Sequence, residues 1–249
     1  MVINIRLLKN LLLFLSFGSS LMAQPAFLKQ QLKYPKVKAS YNEKWAAISK
    51  NLKAKGIDSA NYKVLIRLFK EEKVLEVWLK SKNTDKYINY GNYDICRSSG
   101  SVGPKRQEGD LQVPEGFYKV NFFNAFSDYY LGMQINYPNQ SDLALGKRPY
   151  GGQIMIHGNC VTIGCIPITD DKIKEVYLLC LFSKGAGYDV AVDSYPFKLE
   201  TKKLDDAKKS YDKTLVDFWM NLKPFYDYFE QKHLVPVIGV DRSGLYKML

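Results

Sequence analysis

The chain has 249 residues, a formal net charge of +11 and only four cysteines. So few cysteines over that length exclude a disulfide-dense scaffold. The basic residues are interspersed with acids and form no block long enough for a nucleic-acid arm, so no nucleic-acid partner is expected. The length suits one substantial domain with additions.

Arg6 and Lys9 precede an apolar run from Leu11 to Phe17, and small residues follow up to Ala23. That plan predicts a secretory signal peptide over residues 1–23, because a bilayer span needs about 20 apolar residues. An uncleaved anchor is the alternative. Removing this segment takes away two positive charges and leaves about +9. An exported basic protein suits an anionic envelope partner.

Residues 24–39 read as a loose lead-in. In "SYNEKW", Ser40 with Glu43 three residues on has the form of a capping box. Trp45, Ile48 and Leu52 then share one helical face, and Gly56 offers a stop. From Tyr62 the period shortens. "KVLIRLFK" and "KVLEVWLK" predict a hairpin, and "KYINY", "GFYKVNFF", "YLGMQINY" and "GGQIMIHG" continue a series of short strands between turn signals. These predict a mainly β, sandwich- or barrel-like core.

Helical spacing returns with "TDDKIKEVYLLCLFSKG", where Thr169 is the expected N-cap and Cys180 lies on the apolar face. "YDVAVDSYPF" predicts one more strand. Tyr211, Leu215, Phe218, Trp219 and Leu222 form a second helical stripe, which Pro224 is expected to break or restart. The expected organisation is residues 24–61 as lead-in and helix, 62–198 as the main domain, and 199–249 as a helical extension packed on it. The many aromatic residues are most simply core, with a glycan groove as the other use for some of them.

The segment "IMIHGNCVTIGCIPITD" concentrates the reactive side chains. His157, Cys160 and Cys165 offer three ligands of the type zinc accepts, but a structural site wants four. Cys96 and Cys160 are expected to be buried thiols, with a disulfide between them as the alternative. Cys165 follows Gly164 and precedes the helix near Asp170, whose positive end would favour a thiolate. His157 becomes its base if the intervening loop folds back. Cys160 lacks the glycine and the helix, so Cys165 is the expected nucleophile. "GSVGPK" lacks the spacing of a phosphate loop, and "RSSG" is not a serine-hydrolase elbow.

The same segment resembles the active site of the L,D-transpeptidase catalytic domain, the YkuD type, and most closely its YafK-like murein subfamily. The pattern His-Gly, spacer, Ser/Thr-x-Gly-Cys stands here as His157-Gly158 and Thr162-Ile163-Gly164-Cys165. "CRSSGSVGPKRQEGDLQVPEGFYKV", with its Pro114-x-Gly116-x-Tyr118 turn, "NYPNQSD" and "DFWMNLKPFYDYFE" extend the likeness over roughly residues 62–242. The resemblance implies a mainly β fold of α+β character, no cofactor and no metal.

It further implies that Cys165 attacks the bond from an L-centre to a D-centre in a peptidoglycan stem, typically diaminopimelate to D-alanine. His157 would move the proton. The N–H groups of Cys165 and Gly164 would hold the oxyanion, the Gly158 carbonyl would orient the imidazole, and Thr162 would brace the loop or touch substrate. The thioester would pass to an amine, crosslinking stems or attaching a protein, or to water, releasing one such as a wall-bound lipoprotein. A non-catalytic wall-binding module is the alternative. Two positions depart from the broad family: Ile163 replaces a histidine and Pro167 an arginine. Lys105 and Arg106 are candidates for the missing anchor, with a solvated loop as the other reading.

Overall fold

Tyr62–Phe69 is buried at every position but Lys63, the signature of a strand covered on both faces. The computed structural model describes residues 26–249, so the expected signal peptide lies outside the described residues. Strand β1 (Tyr62–Phe69) pairs antiparallel with β2 (Val74–Ser81), and β2 pairs with β3 (Ile88–Asp94). On its other edge β1 runs parallel to β8 (Ala191–Tyr195). The sheet continues antiparallel through β4 (Gly116–Asn124), β5 (Gly132–Ile135) and β6 (Met155–His157). It ends on β7 (Ile166–Pro167), parallel to β6. The expected strand series thus forms one curled eight-stranded mixed sheet, α+β and mainly β in its core.

Helices cover both faces. Helix α1 (Pro35–Ala54) and α3 (Asp170–Gly185) pack on one face through Val37, Ile48, Leu52, Val176 and Tyr177. Helices α4 (Thr201–Ser210) and α5 (Lys213–Lys232) cover the other through Leu204, Trp219, Leu222 and Phe225, against Phe69, Tyr195 and Phe197. A short hairpin of β9 (Ile238–Val240) and β10 (Tyr246–Met248) closes the chain. Among the described residues no helix is long and apolar enough to cross a membrane.

Several local expectations are corrected. Residues 26–31 are helical, and α1 starts at Pro35, whose fixed φ suits the first helical position. Ser40 therefore sits inside the helix, its hydroxyl donating to the Lys36 carbonyl at 2.8 Å, while Glu43 pairs with Lys174 at 2.6 Å. Thr169 holds the N-cap position of α3 but at φ 69°, and its side chain makes no capping bond. Pro224 lies within α5 without ending it: the residue is exposed, so the carbonyl it leaves unpaired can reach water. Tyr211 precedes α5 and reaches Trp219 edge-on, with ring centroids 5.0 Å apart.

Two motif turns have clear physical causes. Gly116 stands at φ 134°, and a Cβ there would lie 2.2 Å from the Tyr246 hydroxyl. In "NYPNQSD", Asn139 and Asp142 form a reciprocal capping box on helix α2 (Gln140–Leu145), and Asp142 also accepts from the Tyr118 hydroxyl at 3.0 Å.

Candidate active site

The loop from Gly158 to Cys165 folds back so that β7 lies beside β6, with Ile156 opposite Ile166 and His157 opposite Pro167. That register sets Cys165 level with Met155. Alternation along β6 turns Met155 and His157 to the face away from Ile156, which lies in the core with Ile166. The Met155 N–H points at the Cys165 sulfur, 3.4 Å away.

Each side chain is held by identifiable contacts. His157 is 1% exposed, stacked on Tyr129 with centroids 4.7 Å apart, and its Nδ1 bonds the Gly158 carbonyl. A carbonyl only accepts, so the proton is on Nδ1 and the Nε2 lone pair is free to act as a base. Gly158 can carry no side chain, since a Cβ would lie 2.5 Å from Asp170 Oδ1 and 2.8 Å from the Tyr129 carbonyl. Asp170 Oδ1 instead accepts the Asn159 N–H at 2.7 Å, tying the loop to the first residue of α3.

Thr162 braces the loop. Its hydroxyl accepts from the Gly164 N–H at 3.1 Å and donates to the Cys165 carbonyl at 2.7 Å. Gly164 stands at φ 136°, which a residue with a Cβ adopts only under strain. Its N–H is committed to Thr162, so the expected oxyanion contact from Gly164 is already occupied. Ile163, where the broad family carries a histidine, is 81% exposed.

Burial favours the neutral forms of both His157 and Cys165. Burial pushes the His157 pKa below its ordinary 6.5, with the Gly158 carbonyl opposing. Burial raises the Cys165 thiol above 9.0, offset by the Met155 N–H and the Lys105 ammonium.

Cys96 and Cys160 form a disulfide, with Cα atoms 5.6 Å apart, in place of the two buried thiols expected. Cys96 is exposed and Cys160 half-buried, so neither belongs to the core. The bond also removes Cys160 from the three-ligand metal set. Cys165 and Cys180 are free, and Cys180 is fully buried in the core.

Lys105 and Arg106 have other partners than the ones suggested for them. Lys105 is 5% exposed, its ammonium 2.7 Å from Asp110 and 2.9 Å from the Gln107 carbonyl. Asp110 also takes the N–H groups of Arg106, Gln107 and Gln112, so it organises this loop. The Arg106 guanidinium lies 4.7 Å over the Phe218 ring, with Asp142 at 3.6 Å. Lys105 is thus engaged within its own loop, while the Arg106 side chain stays partly exposed between Phe218 and Asp142.

A cleft of about 190 Å³ opens beside Cys165. Cys165 and Ile166 line it together with Lys73, Arg97, Ser98 and Ser99. Sequence reading missed Tyr129, Asp170 and Arg97. Only the fold brings these close to the loop, although Arg97 adjoins a cysteine that was already of interest.

Residues 63–203 match the L,D-transpeptidase catalytic domain family, YkuD. YafK of Escherichia coli K12, provisionally described as an L,D-transpeptidase, is 39% identical over 180 residues, covering 71% of this chain and 70% of its own. YafK of Escherichia coli O157:H7 gives the same figures. Among solved structures, the helical cell shape determining protein Pgp2 of Campylobacter jejuni is 21% identical, with TM-score 0.46, over 68% of this chain and 57% of its own. Bd1075 of Bdellovibrio bacteriovorus is 21% identical, with TM-score 0.40, over 71% of this chain and 63% of its own. The chain spans less than two thirds of either solved relative. The extent of the family match, together with the identity to YafK, places this chain in the L,D-transpeptidase catalytic-domain family.

Proposed function

We propose that the protein is an exported thiol acyltransferase acting on peptidoglycan stem peptides, with Cys165 as nucleophile and His157 as base. The observation that carries this reading is the β6–β7 register. It sets a free thiol level with Met155, two positions along β6 from an imidazole with an available Nε2, and that thiol borders a cleft. Export has independent support in the exposed Cys96–Cys160 disulfide, a bond that persists in oxidising compartments.

In the proposed reaction the Cys165 sulfur attacks the carbonyl carbon of the diaminopimelate–D-alanine bond as its proton passes to His157 Nε2. The Cys165 N–H faces the oxyanion, since the Gly164 N–H is given to Thr162. The carbon–nitrogen bond breaks, the imidazolium returns its proton to the departing D-alanine amine, and a thioester remains on Cys165. An acceptor amine then yields a new amide, crosslinking stems or attaching a protein. Water yields a free carboxylate and trims the stem; where the amine expelled in the first step belongs to a wall-attached lipoprotein instead of D-alanine, the same two steps release that protein. Either route restores the thiol.

The test is mass spectrometry of peptidoglycan fragments after incubation of sacculi, with and without attached lipoprotein, with the protein, Cys165→Ala and Cys160→Ala. New crosslinks or released peptides that vanish in Cys165→Ala and persist in Cys160→Ala are expected, and the products name the acceptor. Equal products from the unmodified protein and Cys165→Ala would refute the nucleophile. Binding to sacculi without products in any sample would favour a wall-binding module.

A further inference from the structure

The fold brings a guanidinium, that of Arg97, to the cleft that Cys165 borders. The Cys96 N–H donates to the Pro167 carbonyl at 3.0 Å, and the Ile95 N–H donates to the Lys73 carbonyl at 2.7 Å. Residues 95–97 are therefore held between Lys73 and Pro167, and the Cys96–Cys160 bond fastens them to the catalytic loop. Arg97 follows directly and lines the cleft that Cys165 borders, as does Lys73.

The other charged groups around this cleft have partners. Lys70 is buried and bonded to Glu115 and to the carbonyls of Gly103 and Val113. Glu71, the acid of the lining, pairs with Lys203. Lys105, whose charge reaches Cys165, is held by Asp110. Among the described residues, neither Arg97 nor Lys73 has a side-chain ion pair or hydrogen bond. The Ser99 hydroxyl, also of the cleft lining, is buried without a partner. Two unpaired cations and an unpaired hydroxyl beside a nucleophile match the needs of an anionic group with several acceptor oxygens.

We propose that Arg97 and Lys73 form a carboxylate-binding subsite beside Cys165 that seats a free carboxylate of the acyl donor. This deepens the function proposed above and rests on it for the identity of the donor. A stem cleaved next to diaminopimelate carries such a carboxylate on the departing D-alanine and another on the diaminopimelate side chain. The shared chemistry is a carboxylate within reach of the thioester-forming carbon, and a guanidinium donates to both its oxygens in a two-point contact.

Two measurements test the subsite on the full protein, Arg97→Gln, Arg97→Lys and Lys73→Gln. The first compares alkylation rates of Cys165 by iodoacetate and by iodoacetamide, a reading that needs no peptidoglycan. The iodoacetate-to-iodoacetamide ratio is expected to fall about threefold or more in Arg97→Gln and less in Arg97→Lys, with the iodoacetamide rate little changed. The second measures KM and kcat on tetrapeptide stems, free or amidated at one or the other carboxylate. Arg97→Gln is expected to raise KM about tenfold at similar kcat, and amidating the seated carboxylate abolishes that difference. An unmoved ratio in both Arg97→Gln and Lys73→Gln overturns the subsite, whether or not stems are processed. A ratio that falls while the unmodified protein turns over no stem supports the anion site and refutes the proposed function instead.

Discussion

Replacing Cys96 and Cys160 together by serine isolates what their bond contributes. The cysteines are 64 positions apart, and the chain between them carries β4, β5, α2 and β6. Loop-closure entropy for about that many residues gives roughly 4 kcal/mol of stabilisation at 25 °C, on the chain-entropy account. For a protein of this size each kcal/mol moves Tm by about 2–4 °C, so the double variant should melt roughly 8–16 °C lower. Thermal unfolding by circular dichroism, with and without reductant, measures it: reductant should lower the parent toward the variant and leave the variant unchanged. Thiol titration in denaturant without reductant should find two thiols in the parent, Cys165 and Cys180. Four titrated thiols, or a variant melting within about 2 °C of the parent, would refute the reasoning.

Three further outcomes follow from the site. Thr162→Val removes both hydroxyl bonds and should cost about 1–3 kcal/mol of stability with a large loss of kcat, while Thr162→Ser retains most of each in denaturation and turnover assays. Gly158→Ala forces a methyl against Asp170 and the Tyr129 carbonyl; it should cost about 1–3 kcal/mol and displace His157, whereas Gly152→Ala, in open space, should melt like the parent. Turnover should follow a bell in pH. Its acid limb should lie below 6.5, where protonation of His157 removes the base, and its basic limb above 9.0, where loss of the thiol proton leaves none for the departing amine. Iodoacetamide alkylation of Cys165 should rise with pH, and an acid plateau would instead reveal a preformed thiolate–imidazolium pair.

The sequence disclosed what depends on near neighbours. Apolar runs without alternation marked β1, and the His-Gly and Gly-Cys pairs marked the loop, because the residue types the proposed chemistry needs lie within nine positions. Ser40 with Glu43 misled because a capping box is a statement about one turn. A proline five residues earlier starts the same helix, and Glu43 found a lysine on α3. Pro224 misled for a related reason: its cost depends on whether the deprived carbonyl faces water, which is a property of packing. The Cys96–Cys160 bond, the Tyr129 stack and the placing of Arg97 each join segments that the sheet brings together. Spacing could not reveal them.

The two cysteines of the catalytic loop have different states, and the disulfide maintains the difference. Cys160 is bonded to Cys96 outside the core, while Cys165, five positions on, stays reduced beside Met155. An oxidising compartment that forms the first bond would also threaten the second thiol. Engaging Cys160 elsewhere removes the nearest thiol with which Cys165 could pair. Cys96→Ser alone should therefore be more harmful than the double serine variant. With oxidised glutathione, the freed Cys160 and Cys165 give up two protons and two electrons to form a Cys160–Cys165 bond, releasing two reduced glutathiones. Peptide mapping should find that crosslink, and reductant should restore Cys165 labelling to the level of the double variant. If Cys96→Ser keeps Cys165 fully alkylatable under oxidised glutathione, the loop geometry alone protects the nucleophile and the disulfide serves only stability and the cleft wall.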